Sequence, residues 1–457
     1  MEKLRVGLPE GIEVISPAKN KSDNKEVGLY PDRIYCKCIN ENEYNLSEII
    51  GKIKSEYGDE LNVNTEYFNV YAVVVEADSN YEAIKKLNEK LDFLELYKTA
   101  ISEEAEKSIR KLVFKKSNSE LFNIALNKPV FPVDTLAQIA SAALVDVSEF
   151  EYVLSKWEDD FKKEDELIKT LKERFGKDFK TPYKYICIVH ADGDNMGNII
   201  THASNNNAEI SEKLIAFGAE ACEIIKSYKG MPIYAGGDDL LFIAPVLTGA
   251  NTTIFDLLKE VDNLYVKKGL TAYKGEKDGK ETSTSMSYGI SITYYKYPLY
   301  EALNMSRSLL FDVAKNVENK NAIAWTLQKN SGSTVIGSFS KSNTELYEAF
   351  EKLMQSINDK VDNNLVSAVA HKIKSSEKLL GFFMKETVND LRLEAFFEKT
   401  LEYNSKNKEE QKYLDAVKTL LTKVCQSAED MESAINIMYG MLRTAKFIKG
   451  LEEDKDE

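Results

Sequence analysis

The run Ile-Tyr-Ala-Gly-Gly-Asp-Asp-Leu-Leu-Phe-Ile-Ala at residues 233–244 admits few structures. Apolar residues lead into and out of two adjacent glycines, so the chain must reverse between two buried strands in a tight β-hairpin. Gly236 and Gly237 permit the positive backbone dihedrals such a turn demands. Asp238 and Asp239 lead the exit strand with no side chain obstructing a phosphate. Two carboxylates on a glycine turn suit a metal ion and a nucleotide. The same four residues alone also describe a solvated hairpin tip, so the surrounding chain decides.

Residues 185–190, Tyr-Ile-Cys-Ile-Val-His, form a continuous apolar run of the kind a strand covered on both faces requires. The run ends in Ala-Asp-Gly-Asp-Asn-Met-Gly. Ile210, Leu214, Phe217, Ala221, Ile224 and Ile225 then keep helical register, and after the hairpin so do Ile254, Leu257, Leu258, Val261 and Leu264. Residues 285–295 alternate as a strand, 299–316 read as an amphipathic helix and 322–327 as a closing strand. The order predicts a sheet with helices packed on one side.

Asp192 and Asp194 follow the first of these strands, and the hairpin carboxylates sit at the end of strands expected beside it. Three or four carboxylates brought this close repel one another unless divalent cations neutralise them. Mg²⁺ or Mn²⁺ is the expected occupant: two ions about 3.5 to 4 Å apart activate a hydroxyl and stabilise leaving pyrophosphate, the chemistry of nucleotidyl transfer. Lys315 in Ala-Lys-Asn is placed to reach a triphosphate as a point charge, or to complement a helix C-terminus. Gly193 and Gly197 fit neither a Walker nor a dinucleotide motif. Gly193 is expected to offer a carbonyl to metal and Gly197 to leave room for nucleotide, unless both only shape a turn. His190 reads as a packed core residue.

The chain has 457 residues, enough for two to four domains. Its net charge of −14 argues against a protein that grips nucleic acid over its whole surface, though not against a local basic groove or an RNA-carrying partner. Five scattered cysteines, Cys36, Cys38, Cys187, Cys222 and Cys425, supply no four-ligand zinc pattern and read as reduced thiols. No apolar signal core or membrane-length run occurs, so a cytoplasmic protein is expected.

Residues 1–98 read as a small β-α-β-α domain, with strands at 33–39 and 68–75 and helices at 47–56 and around Ile84, Leu87, Leu91 and Leu94. It carries no acidic pair on a glycine turn. Residues 99–180 read as a helical insert, in which two prolines at 128–134 break the chain and Asp134 is a candidate cap. Residues 181–335 hold the glycine hairpin. After a Gly/Ser-rich connector beyond Ser331, residues 336–457 read as helices.

Four motifs together, His-Ala-Asp-Gly-Asp-Asn-Met-Gly, Tyr-Ala-Gly-Gly-Asp-Asp-Leu-Leu, Ser-Tyr-Gly-Ile-Ser-Ile and Leu-Phe-Asp-Val-Ala-Lys-Asn, resemble the catalytic palm of the type III CRISPR polymerase/cyclase large subunit, in its III-B, Cmr-type branch. Tyr-Pro-Asp-Arg (30–33), Phe-Pro-Val-Asp-Thr (131–135) and a helical C-terminal region ending Met-Leu-Arg-Thr-Ala-Lys-Phe-Ile support the assignment more loosely. The resemblance implies an α+β chain of two ferredoxin-like palms plus helical domains, with 1–98 a degenerate first palm and 181–335 the catalytic one. It implies a subunit that works with other CRISPR effector subunits, guide RNA and target RNA, away from any membrane, and that converts ATP into a second messenger, cyclic oligoadenylate, when target RNA binds. By position, Asp192 and Asp239 would be the principal metal ligands. Asp238 would be a further ligand or help deprotonate the 3′ hydroxyl. Gly236 and Gly237 would let the nucleotide sit against the backbone, Lys315 would touch phosphate, and Asp194 and Asn195 are further nucleotide-binding candidates.

Two departures bear on these expectations. None of the three histidines, His190, His202 and His371, is followed by aspartate, so the metal-dependent HD nuclease of many relatives is not expected. The four-cysteine zinc site of the family's helical insert also lacks its cysteines. Some relatives without the nuclease resemble enzymes that join AMP to S-adenosylmethionine, which leaves that acceptor open. A diguanylate-type cyclase shares the palm but would normally read Gly-Gly-Asp/Glu-Glu-Phe where this chain reads Asp238, Asp239, Leu240. A non-enzymatic scaffold would suit the acidic charge but would not need the carboxylate set.

Overall fold

The computed structural model describes residues 8, 11–16, 33–38, 45–61, 70–95, 135–145, 160–202, 207–249, 252–277, 280–317, 320–384, 395–399, 407–428 and 430–451. Its centre is a six-stranded sheet. In chain order the strands are β1 (Tyr185–Gly193), β2 (Met231–Gly236), β3 (Asp239–Pro245), β4 (Met286–Tyr294), β5 (Ala322–Gln328) and β6 (Thr334–Ser340). They lie side by side as β6-β5-β4-β1-β3-β2. All neighbours are antiparallel except β4 and β5.

Helix α1 (Asn207–Ser227) links β1 to β2, and α2 (Ile254–Lys267) precedes β4. The first four strands and these two helices make the β-α-β-β-α-β unit with sheet order 4-1-3-2, a ferredoxin-like palm. Helix α3 (Leu299–Ser308) carries the chain from β4 across to the parallel strand β5.

Alternation along β1 decides what each face buries. Tyr185, Cys187, Val189 and Ala191 point into a core shared with α1, α2 and the C-terminal helices. Ile186 and Ile188 point the other way, where Ile243, Tyr295 and Ala302 meet Ala137, Ile139 and Ala140 of the helix Leu136–Ala140 and Leu167, Ile168 and Leu171 of the helix Asp160–Phe175. The sheet is therefore covered on both sides rather than one. The helical insert supplies the second layer, which explains the uninterrupted apolar run of β1.

Local chemistry moves several boundaries. The insert's short helix is capped by Thr135, where a capping box forms: Gln138 N donates to Thr135 Oγ1 (3.3 Å) and Thr135 N to Gln138 Oε1 (2.8 Å), while the candidate cap Asp134 lies outside the described residues. The amphipathic stretch 299–316 is not one helix. After α3 it widens into a π turn at Leu309–Val313 and tightens into a 3-10 turn at Ala314–Asn316. The expected connector beyond Ser331 is a hairpin instead, with Gly332 at φ +85° and β6 as an edge strand that carries the sheet to Ser340.

Helices α4 (Thr344–Ser356), α5 (Asn363–Ser375), α6 (Lys408–Ser427) and α7 (Met431–Ile448) form the C-terminal layer. Phe350, Val366, Leu414 and Met438 join the same core as Trp325, whose indole donates to Thr444 Oγ1 at 2.9 Å. In the N-terminal region, Ile12–Ser16 pairs antiparallel with Tyr35–Cys38, and helices run Leu46–Leu61 and Asn80–Glu95. The strand expected at 68–75 is not formed over its described part, residues 70–75, which pair with no strand among the described residues. Residues 68 and 69 lie outside the described residues. No helix among the described residues is long and apolar enough to cross a membrane.

Candidate active site

The strand register brings the sequence-distant aspartates together. β1 and β3 pair Ala191 with Leu240. Continued by one and two residues, the same antiparallel ladder sets Asp192 opposite Asp239 and Gly193 opposite Asp238. The side chain of Asp238 does lie against Gly193: a Cβ on that glycine would stand 2.6 Å from Asp238 Oδ2. On its other flank Asp192 pairs with Ser287 of β4.

The hairpin loop is Gly237-Asp238, two residues between the paired Gly236 and Asp239. Gly237 has φ +73° and open space above its Cα, as the first loop position of a type II′ turn requires. Gly236 is not at positive φ. Its missing side chain makes room for the Tyr234 ring and hydroxyl, which cover its Cα, so the expectation that nucleotide rests on both glycines holds space only at Gly237. Asp238 belongs to the loop and only Asp239 leads the exit strand, where it is exposed.

Lys315, held on the 3-10 turn behind the π turn, forms an ion pair with Asp192 and donates to the Gly193 carbonyl (3.3 Å). Burial and then Lys320 push Lys315 down to about 8. Burial, then Asp239 and Asp194, push Asp238 up to about 7. Both groups are thus drawn toward neutrality, as groups at functional sites often are.

Asp194 and Asn195 are engaged elsewhere. Asp194 is fully buried, and its Oδ2 accepts from Ser285 Oγ (2.7 Å), Ser287 Oγ (2.8 Å) and the Asn321 amide (3.0 Å). Asn195 sits at φ 60° and donates its side-chain amide to the Ser283 carbonyl (3.0 Å). These are contacts to the protein's own strands rather than to a nucleotide face. Gly197 has nothing within 4 Å of where a Cβ would be, consistent with room beside the loop. His190 is half-buried with Nδ1 2.8 Å from Ser306 Oγ, and burial and then Arg307 lower its pKa, as a packed histidine should behave.

Ser285, Ser287 and Asn321 were not singled out from the sequence. The signal for the serines was present: Ser-Met-Ser places two hydroxyls on one face of a buried strand, and a buried hydroxyl needs a partner.

Among the described residues no three His, Cys, Asp or Glu side chains form a ready-made metal cage. The oxygens present nonetheless fit a hard divalent ion. The Lys315 ammonium bridges the Asp192 carboxylate and the Gly193 carbonyl, so these two oxygens already converge on a cationic group. Asp239 and Asp238 stand opposite. An open, oxygen-only set completed by substrate phosphates is the usual manner of Mg²⁺ binding, in contrast to an all-protein cage.

Residues 185–324 match the family model described as Cas10/Cmr2, second palm domain. The chain is 32% identical over 187 residues to the CRISPR system Cmr subunit Cmr2 of Pyrococcus furiosus, an alignment covering 35% of this chain and 20% of that protein. Among solved structures, the type III-B Cmr-beta complex bound to cognate target RNA covers 90% of this chain and 50% of the matched chain at 15% identity and TM-score 0.40. A Csm1-Csm4 cassette in complex with cA4 covers 52% and 36% at 15% identity and TM-score 0.30. The chain thus spans a fifth of the Cmr2 relative and half or less of these two solved chains. Over the palm, the resemblance to Cmr-type large subunits read from four motifs is borne out: residues 185–324 are similar to a Cas10/Cmr2 second palm domain.

Proposed function

We propose that this palm is a nucleotidyltransferase site that uses ATP within a type III CRISPR RNA-guided complex and makes cyclic oligoadenylate when target RNA binds. The observation that carries the reading is the pairing of Ala191 with Leu240, the residues next to Asp192 and Asp239, together with the Asp238 side chain against Gly193, on a palm similar to Cas10/Cmr2. The partners are other effector subunits, guide RNA and target RNA, consistent with the Cmr2 relative.

Asp192, Asp239 and the Gly193 carbonyl would hold Mg²⁺ or Mn²⁺, with Asp238 a further oxygen. Bound there, two such ions lower the pKa of an attacking hydroxyl and stabilise departing pyrophosphate. The protein's own groups do the rest. Lys315, which pairs with Asp192 here, would offer its charge to the triphosphate. Asp238, where it is not a metal oxygen, would help deprotonate the 3′ hydroxyl. Gly237 and Gly197 leave the backbone open beside the phosphates.

The test is product identification by mass, with the chain in its complex carrying guide and target RNA, supplied with Mg²⁺ or Mn²⁺ and ATP, with and without S-adenosylmethionine. Cyclic oligoadenylate supports the reading. An AMP adduct of S-adenosylmethionine keeps the site but changes the acceptor. Consumption of GTP but not ATP would replace the reading with a diguanylate-type cyclase, against which Asp238-Asp239-Leu240 already speaks. No turnover by the complete complex would leave a scaffold subunit.

A further inference from the structure

Asp194 is a buried carboxylate that the proposed chemistry does not use. Its Oδ2 gathers three donors from two strands: Ser285 and Ser287 at the start of β4, and the backbone amide of Asn321 beside the start of β5. Its own amide donates to the Ser285 carbonyl at 2.7 Å. Its Oδ1 is buried without a hydrogen-bond partner among the described residues. Burying a carboxylate this way costs several kcal/mol unless the bonds repay it.

The two segments joined here are the ones that carry the reacting groups. Asp194 follows Asp192 and Gly193 directly. Asn321 stands just before β5, and the turn bearing Lys315 precedes it in the chain. Asn321 also continues the tie outward, since its carbonyl accepts from Lys341 N (2.7 Å) and its side chain donates to Ser342 Oγ (3.1 Å), ahead of the C-terminal helices.

We infer that Asp194 is a positioning residue: by hydrogen bonding alone it locks the end of β1 to the start of β5, and so sets the distance between the Asp192 oxygens and the Lys315 ammonium. The inference rests on the nucleotidyltransfer reading for its catalytic consequence, not for the tie itself. All three donors converge on one oxygen, so Asn in place of Asp can present its carbonyl to them and keep the tie without the charge. Ala cannot.

The experiment compares D194N, D194A and the double variant S285A/S287A in the full chain by three readouts. These are amide hydrogen exchange of the peptide containing Asn321, Mn²⁺ affinity by paramagnetic resonance, and kcat and KM for ATP in the assembled complex. D194A should expose the Asn321 amide to faster exchange, weaken Mn²⁺ binding about tenfold and lower kcat about 10- to 100-fold with a smaller change in KM. S285A/S287A should fall between D194A and wild type, and D194N should stay within about threefold of wild type on each readout. Should D194A not fold, the serine pair carries the test. Equal losses in D194N and D194A with an unaffected serine pair would show that the Asp194 charge meets ligand directly, and would overturn the inference. So would unchanged exchange at Asn321 in D194A. A wild-type chain that binds no Mn²⁺ and turns over no ATP removes the functional reading instead, while exchange still judges the tie.

Discussion

The Asp238 carboxyl rests on the bare Cα of Gly193, at the point where the hairpin loop meets the end of the central strand. No side chain fits between them. Gly193→Ala should therefore push the loop outward or force Asp238 off its rotamer, at a cost of about 1–3 kcal/mol in stability. Turnover should drop about 100-fold, because a carboxylate displaced by about an ångström loses its alignment. Denaturant unfolding and an ATP assay of the same variant check the two halves together. A variant with wild-type turnover would show that Asp238 can work from another position.

The double variant Asp238→Asn with Asp239→Asn should abolish product while the assembly still forms. Its stability in chelator should be unchanged or slightly higher, since the substitutions remove adjacent like charges that push Asp238 upward. Melting in EDTA and native mass measurement of the complex are the checks. A large fall in melting temperature without metal would mean that these carboxylates hold the hairpin together.

The pH response of the metal-free protein follows from the same group. Asp238 is raised in the folded state to about 7, from an ordinary carboxylate value of 3.8. Between those values the unfolded chain has released the proton and the folded chain keeps it, so the folded state binds more protons and stability falls as pH rises. The contribution is fully present below the unfolded value and is lost as pH rises through about 7. In EDTA, wild type minus D238N should show this decline between about pH 4 and 7 and flatten above it. Mg²⁺ added at pH 8 should restore wild type more than D238N. A pH-independent difference between the two proteins counts against the raised carboxyl.

What the sequence revealed of this site depends on whether a residue's job is local. The hairpin was legible because Gly237 and the flanking apolar residues act on their neighbours in the chain, and Asp192 was legible because an apolar run ended at it. Asp194 was legible only as an acid: its partners Ser285, Ser287 and Asn321 arrive from strands paired by long crossovers, which no local spacing encodes. Gly236 was misread for a related reason, since its constraint is the Tyr234 hydroxyl folded back over it and not its own dihedral angle. The π turn ahead of Lys315 escaped because its residues keep a helical pattern of apolar groups, and periodicity does not register one extra residue per turn. The second layer on the sheet was implied by β1 itself, whose two faces are both apolar, yet its source in residues 136–171 required the tertiary structure.

The buried pair Lys341–Asp262 gives a last prediction, on the join between palm and C-terminal helices. Lys341 Nζ donates to both Asp262 oxygens at 2.6 Å, and the Tyr288 hydroxyl donates to Oδ1 at 2.8 Å, while the ammonium stands 4.5 Å from the Tyr288 ring centre. Burial pushes Asp262 up and Lys341 down, in each case against the pull of its partner. Desolvation is thus the larger effect, and the pair stabilises little in net terms although each member needs the other. Lys341→Met should cost about 1–3 kcal/mol, because it leaves a partly buried carboxylate with the Tyr288 hydroxyl as its partner. Adding Asp262→Leu should recover most of that loss, bringing the double variant to within about 1 kcal/mol of wild type. A urea double-mutant cycle measures this directly. If the double variant stays as destabilised as Lys341→Met alone, the ion pair is a net source of stability and the dominance of desolvation is refuted.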